Sequence, residues 1–130
     1  MRYDEFLHEV RELGEYADQD EAERVAHAVL GTLAPRLPAE SVEHLAAQLP
    51  DPLSEPLRRG GLEEAESFGV EEYLDRVAAA TGARPLTAEW DASATLTAVA
   101  ENVSGGELDK LLSQLPSDFA TLFGHPELSG

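Results

Sequence analysis

Two stretches of this chain carry the same spacing of apolar residues, and that repetition limits the fold more than any other feature. Tyr3, Phe6, Leu7 and Val10 recur at steps of three, one and three, and Val70, Tyr73, Leu74 and Val77 repeat those steps 67 positions later. Residues three and four apart share a helix face, so each set is one apolar helical stripe. Leu30, Leu33, Ala34 and Leu37 answer to Leu96, Val99, Ala100 and Val103, now displaced by 66, which places a one-residue indel between the first two helices. Val42, Leu45, Ala46 and Leu49 answer to Leu108, Leu111, Leu112 and Leu115, each set closed by the tripeptide Gln-Leu-Pro. Leu53 and Leu57 pair with Phe119 and Phe123 in a last short helix.

The reading is an all-α chain of two tandem units of about four helices each, spanning 3–57 and 70–123, with a linker at 58–69 and a short tail at 124–130. Neither unit is large enough to bury its own stripe well, so the two are expected to pack face to face with pseudo-twofold symmetry as one bundle-like domain over 1–130. No alternating β-branched run with a tight-turn dipeptide competes.

Residues that satisfy the free backbone groups of helix ends flank the stripes. Asp20 with Glu23, and Ser104 with Glu107, have the spacing of capping boxes. Thr87 and Ser117 are further N-cap candidates, and Gly14 and Gly82 fall where a left-handed residue would end the first helix of each unit. Pro35 ends the second helix earlier than its counterpart. Pro38-Ala39-Glu40 stands where the second unit has Ser104-Gly105-Gly106-Glu107, so the start of the third helix is less sharply marked. Arg58-Arg59-Gly60-Gly61 and Glu63-Glu64-Ala65-Glu66 are read as a surface linker.

Charge and composition exclude several functions. Asp and Glu number 26 against 9 Lys and Arg, a formal net charge of −17. A field of that sign repels phosphate backbones and anionic lipid surfaces, so neither nucleic acid nor membrane is expected as a partner. There is no cysteine, which removes disulfides, thiolate metal sites and a thiol nucleophile together. Acids stand at Asp4 and Glu5 where a secretory leader is basic, and no long apolar run follows, so a cytoplasmic location is expected. The acidity has two readings, a halophile's surface that holds water and cations in strong salt, which is preferred, and a very soluble mesophile surface with few lysines; in either case mutual repulsion of the carboxylates weakens the compact state at low ionic strength. The melting temperature is therefore expected to rise from low to molar salt, and a flat or falling curve in calorimetry would contradict this.

Candidate chemistry is sparse. His8, His27 and His44 fall on three different predicted helices, and His125 lies in the tail. Glu23 with His27 and Glu40 with His44 each share a helix face, but a metal centre needs three or more converging ligands, and the Glu-x-x-His spacing of di-metal bundles is absent. These pairs are read as surface groups. None of the first three histidines has a counterpart in the other unit: His8 aligns with Asp75, His27 with Ser93 and His44 with Lys110. No Gly-x-Ser-x-Gly elbow or phosphate-binding glycine loop occurs. The acidic pairs Glu63-Glu64 and Glu71-Glu72, and Asp18 with Asp20, lack the alternation of a calcium loop. Arg58-Arg59 is read as a solvated pair. Trp90, aligned with Arg24 or Glu23, breaks the repeat and is expected to fill the seam between packed elements. No catalytic, cofactor-binding or metal-binding residue is assigned.

Asp4-Glu5-Phe6-Leu7, Glu71-Glu72-Tyr73-Leu74-Asp75-Arg76-Val77, and above all Val103-Ser104-Gly105-Gly106-Glu107-Leu108 running on to Gln114-Leu115-Pro116-Ser117-Asp118-Phe119, resemble domain-of-unknown-function family 2267. The resemblance implies the duplicated all-helical architecture and a cytoplasmic location, and it carries over no catalytic residue. Three functions follow as expectations. The first is a non-catalytic interaction module for a protein partner or for self-association. The second is a ligand-binding protein or enzyme with a pocket between the units. The third is an acidic mimic of nucleic acid. A deep cavity with converging polar groups favours the second, whereas a closed Leu/Val/Phe seam does not.

Overall fold

The structure is a computed structural model, and it describes residues 2–124. Met1, His125 and the rest of the tail lie outside the described residues. Seven α-helices and two 3₁₀ segments make up the described chain: α1 (Tyr3–Gly14), α2 (Gln19–Leu33), a 3₁₀ turn (Ala34–Arg36), α3 (Ala39–Gln48), α4 (Ser54–Gly60), α5 (Val70–Thr81), α6 (Pro85–Asn102), α7 (Gly105–Ser113) and a closing 3₁₀ segment (Ser117–Phe123). No strand occurs among the described residues. The fold is all-α.

α2 and α6 form the centre. Ala22, Ala26, Val29, Leu30 and Leu33 of α2 and Ala88, Ala92, Leu96, Ala98 and Val99 of α6 are fully buried. α1 packs on both central helices, and so does α5. α4 lies on α2 as the closing 3₁₀ segment lies on α6, while α3 meets α7 at the periphery. Each of these packings thus has a counterpart when the first four helices are exchanged for the last four elements. The apolar stripes supply the core as expected: Phe6, Val10, Leu37, Leu53, Leu57, Tyr73, Val77 and Phe119 are fully buried. Tyr73 rests its ring 5.5 Å from that of Phe119 and donates its hydroxyl to the Val29 carbonyl at 3.0 Å, which satisfies the one polar atom this ring takes into the core.

Helix ends differ from expectation in instructive ways. Ser104 caps α7 by accepting from the Glu107 amide at 3.1 Å, as the spacing implies. α2, however, is capped by Asp18, whose Oδ1 accepts from the Glu21 amide at 2.9 Å, and not by Asp20. Both pairs have the same spacing, and Glu23 is taken by a contact with Tyr3 instead. α6 starts at Pro85, ahead of Thr87, because proline is preorganised for the first helical turn. Ser117 is the first residue of its segment, whose N-cap is Pro116. The Pro35 turn ends α2 at Leu33 where α6 runs on to Asn102.

Gly82 takes the left-handed conformation at φ 75, as expected, but in α1 that role passes from Gly14 to Glu15 at φ 55. A Cβ on Gly14 would lie 2.1 Å from the Tyr16 ring, so the glycine is used for close approach of that ring. A non-glycine residue in this region costs on the order of 1 kcal/mol.

The linker is shorter and better anchored than its composition suggests. α4 continues through Arg58, Arg59 and Gly60, so the connection runs only over 61–69. Arg58 Nε donates to both Glu43 oxygens at 3.0 and 3.1 Å, and Arg59 pairs with Glu55. These contacts occupy the one adjacent basic pair. Further on, the Glu66 amide donates to Pro35 O at 2.8 Å and Arg36 Nε donates to Phe68 O at 2.7 Å. Phe68 is buried under the Arg76 guanidinium, 3.9 Å above its ring. Among the described residues no helix is long and apolar enough to cross a membrane.

Candidate functional site

The seam between the two halves is not closed along its whole length. Where α1 gives way to α2, and α5 to α6, a cleft of about 790 Å³ opens. Gly14 and Tyr16 border it at the end of α1, Glu21, Glu23, Arg24, Val25 and His27 line it from α2, Thr81 from the end of α5 and Ala83 from the turn that follows. Thr87, Trp90 and Asp91 come from the first turns of α6.

Asp91 is the chemically decisive residue. It is 4% exposed, one of few polar residues so deeply covered, and it receives the Tyr16 hydroxyl on Oδ1 at 2.6 Å. Because Gly14 has no side chain, the Tyr16 ring folds over the end of α1 and brings its hydroxyl to Asp91. Burial pushes the Asp91 carboxyl above the ordinary carboxylate range, the Tyr16 hydrogen bond opposes this, and the charge of Glu21 adds to the rise. Burial, then the bond to Asp91, raises the Tyr16 phenol well above its usual value.

Trp90 does not fill the seam. It is 50% exposed at the cleft, and its Nε1 donates to Gly14 O at 2.8 Å. That carbonyl lies in the last turn of α1, where carbonyls lack intrahelical partners, so the indole caps the helix while staying half-exposed.

The pair read as a surface coincidence, Glu23 with His27, is partly buried and joined through α1. Tyr3 Oη donates to Glu23 Oε2 at 2.5 Å and lies 2.8 Å from His27 Nε2. A phenol has one proton, so Tyr3 accepts from His27, and the Nε2–H form satisfies the set. His44 is exposed between α3 and α7, 4.0 Å from Glu40 and 3.8 Å from Glu107, beside a smaller hollow of about 330 Å³ that Lys110 also borders. His8 is exposed on α1. The histidines are therefore not brought together, and no three His, Asp or Glu side chains converge as a metal centre requires among the described residues.

Residues 3–122 match the family described as Uncharacterized conserved protein (DUF2267). The chain belongs to that family. It matches no curated protein. For this member of DUF2267, a signal for the cleft is present in its own repeat: at the offset of 66, Trp90 falls opposite Arg24 and Asp91 opposite Val25. All four line the same cleft. A core valine at one position and an aspartate 66 positions later, at the offset of the matching sequence stripes, is the departure that marks this place.

Asp91→Asn keeps the shape and the acceptor for Tyr16 while removing a charge that burial disfavours. The folded state holds the Asp91 proton more tightly than the unfolded chain, so stability falls as pH rises from the ordinary carboxylate value through the raised one, then levels. Glu101 contributes in the same direction, its carboxyl pushed up first by a hydrogen bond with Glu9 and then by burial. The difference between wild type and Asp91→Asn isolates Asp91. That difference is expected to grow in favour of the variant across this window, measured by urea unfolding at a series of pH values. A pH-independent difference, or a variant less stable at neutral pH, would contradict the assignment.

Proposed function

We propose that this protein binds a small organic ligand in the cleft between its two halves. The observation that carries the reading is a buried carboxylate, fixed by a tyrosine, at the floor of an open cavity of about 790 Å³ beside a half-exposed tryptophan. That volume is in the range of ligand sites, which combine apolar walls with a few oriented polar groups. An arrangement serving stability alone has no use for an aspartate where the other half carries Val25, since a buried charge disfavours folding. Ala80, Ala83 and Val25 supply apolar wall, and Asp91, Thr87 and His27 supply the polar groups. The interaction-module reading rests on a different feature, the exposed Leu86, one helical turn before Trp90 on the same face of α6.

A chemically mixed fragment library, followed through amide shifts of the isotope-labelled protein, tests the ligand reading. Binders are expected to concentrate their shifts on Tyr16, Arg24, Thr87, Trp90 and Asp91. Shifts spread evenly over the surface, or confined to the α3 and α7 hollow, would overturn it. Light scattering on the same sample addresses the second reading, in which a dimer would form and cover Leu86.

A further inference from the structure

We infer that the cleft takes an organic cation with a flat apolar body, a protonated amine or an alkylated ammonium, with its charge on Asp91 and its body against Trp90. This rests on the ligand-site reading above and adds the class of ligand.

The charge around the cleft is one-sided. Asp91 forms the floor, and Glu21 and Glu23 stand on the α2 wall. The only guanidinium at the cleft, that of Arg24, belongs to an exposed residue, and Arg24 forms no ion pair with these acids among the described residues. Asp91 Oδ1 is used by Tyr16, while no donor among the described residues reaches the other carboxylate oxygen. A carboxylate with one oxygen held by Tyr16 and the other open to the cleft can take a ligand's donor, and an N⁺–H donor is the partner that offsets its partial burial best. An anionic ligand would instead meet three carboxylates.

A bare metal ion fits poorly, since no set of three ligating side chains converges and the cavity is far larger than an ion. The half-exposed indole of Trp90 offers the aromatic face that attracts organic cations most strongly. The net charge of −17 raises the local concentration of any cation approaching the mouth.

Trp90 is the single tryptophan, so its fluorescence reports on this cleft alone. Three probes of nearly one shape separate charge from body: phenethylammonium, 2-phenylethanol and 3-phenylpropionate. Phenethylammonium is expected to perturb Trp90 emission with an affinity about tenfold above the alcohol, and the carboxylate to bind more weakly still. Attraction to the acidic surface in general is screened by salt, whereas contact with a covered carboxylate is screened much less. The preference for the amine is therefore expected to survive in about 1 M salt.

Asp91→Asn, which retains the acceptor for Tyr16, is expected to reduce the amine to the affinity of the alcohol, and Glu21→Gln to lower it less. Equal binding of amine and alcohol, an amine preference that Asp91→Asn leaves intact, or no response to any of the three would overturn the assignment of ligand class. Fragments of other chemistry clustering in the cleft would still uphold the ligand-site reading, so the two failures are distinguishable.

Discussion

Gly60→Ala is expected to destabilise the fold by roughly 3 kcal/mol, near the upper end for overpacking a site that cannot yield. Gly60 ends α4 where that helix crosses α2, and a Cβ there would lie 2.3 Å from the Gly31 carbonyl oxygen and 3.3 Å from the Ala34 side chain. The obstructing atom is backbone in the last turn of a core helix, so relief requires α4 to lift away, and Leu57 would lose its full burial with it. The urea midpoint should fall with little change in slope. Gly106→Ala is the control: this position lies inside α7 and its Cβ would meet nothing within 4 Å. That variant should gain about 0.5 kcal/mol from helix propensity and a smaller unfolded ensemble. Equal effects of the two substitutions would contradict the close α2–α4 crossing.

Gly14→Ala is expected to act on the cleft more than on the core. The new methyl group would lie 2.1 and 2.4 Å from Tyr16 Cε2 and Cζ, so the ring must leave. Asp91 then loses its hydrogen bond while still covered, a cost of about 1–3 kcal/mol that the helical preference of alanine offsets only in part. Binding of phenethylammonium should fall about tenfold, as expected for losing an oriented charged contact. A double-mutant cycle makes the mechanism checkable. In a Tyr16→Ala background the obstructing ring is absent, and Gly14→Ala should turn from destabilising to stabilising by about 0.5 kcal/mol. The same sign in both backgrounds would show that the ring is not what the glycine accommodates.

Much of the architecture was legible because a helix buries one stripe and both halves write that stripe with the same spacing. Leu30, Leu33 and Leu37, and Leu108, Leu111 and Leu112, are buried where the periodicity places them. The ends were harder to read, since Asp18-x-x-Glu21 and Asp20-x-x-Glu23 are equivalent as local signals. Glu23 is drawn off by Tyr3, 20 residues away, which no local rule contains. The same holds for Gly14, which ends a helix by its type but serves a ring two residues on.

The cleft was largely illegible. Tyr16 reaches Asp91 across 75 residues of chain, and Trp90 bonds to Gly14 across 76. One local sign existed: Ala88, Ala92, Thr95 and Val99 mark the buried face of α6, and Asp91 occupies that face three residues after Ala88. A carboxylate in register with core alanines, where the other half has Val25, is the feature that would have located the site. Pseudo-twofold duplication is the proposed origin of this paired arrangement, and superposition of residues 3–57 on 70–123 about a local axis is its test.

The structure of the crystallised protein soaked with phenethylammonium chloride puts the central claim at most direct risk. The expected result is one ordered molecule in the cleft, its nitrogen within about 3 Å of the Asp91 carboxylate and its ring against Trp90. A cleft filled by the Trp90 side chain folded onto Tyr16, or ammonium bound only at carboxylates elsewhere on the surface, would contradict the account.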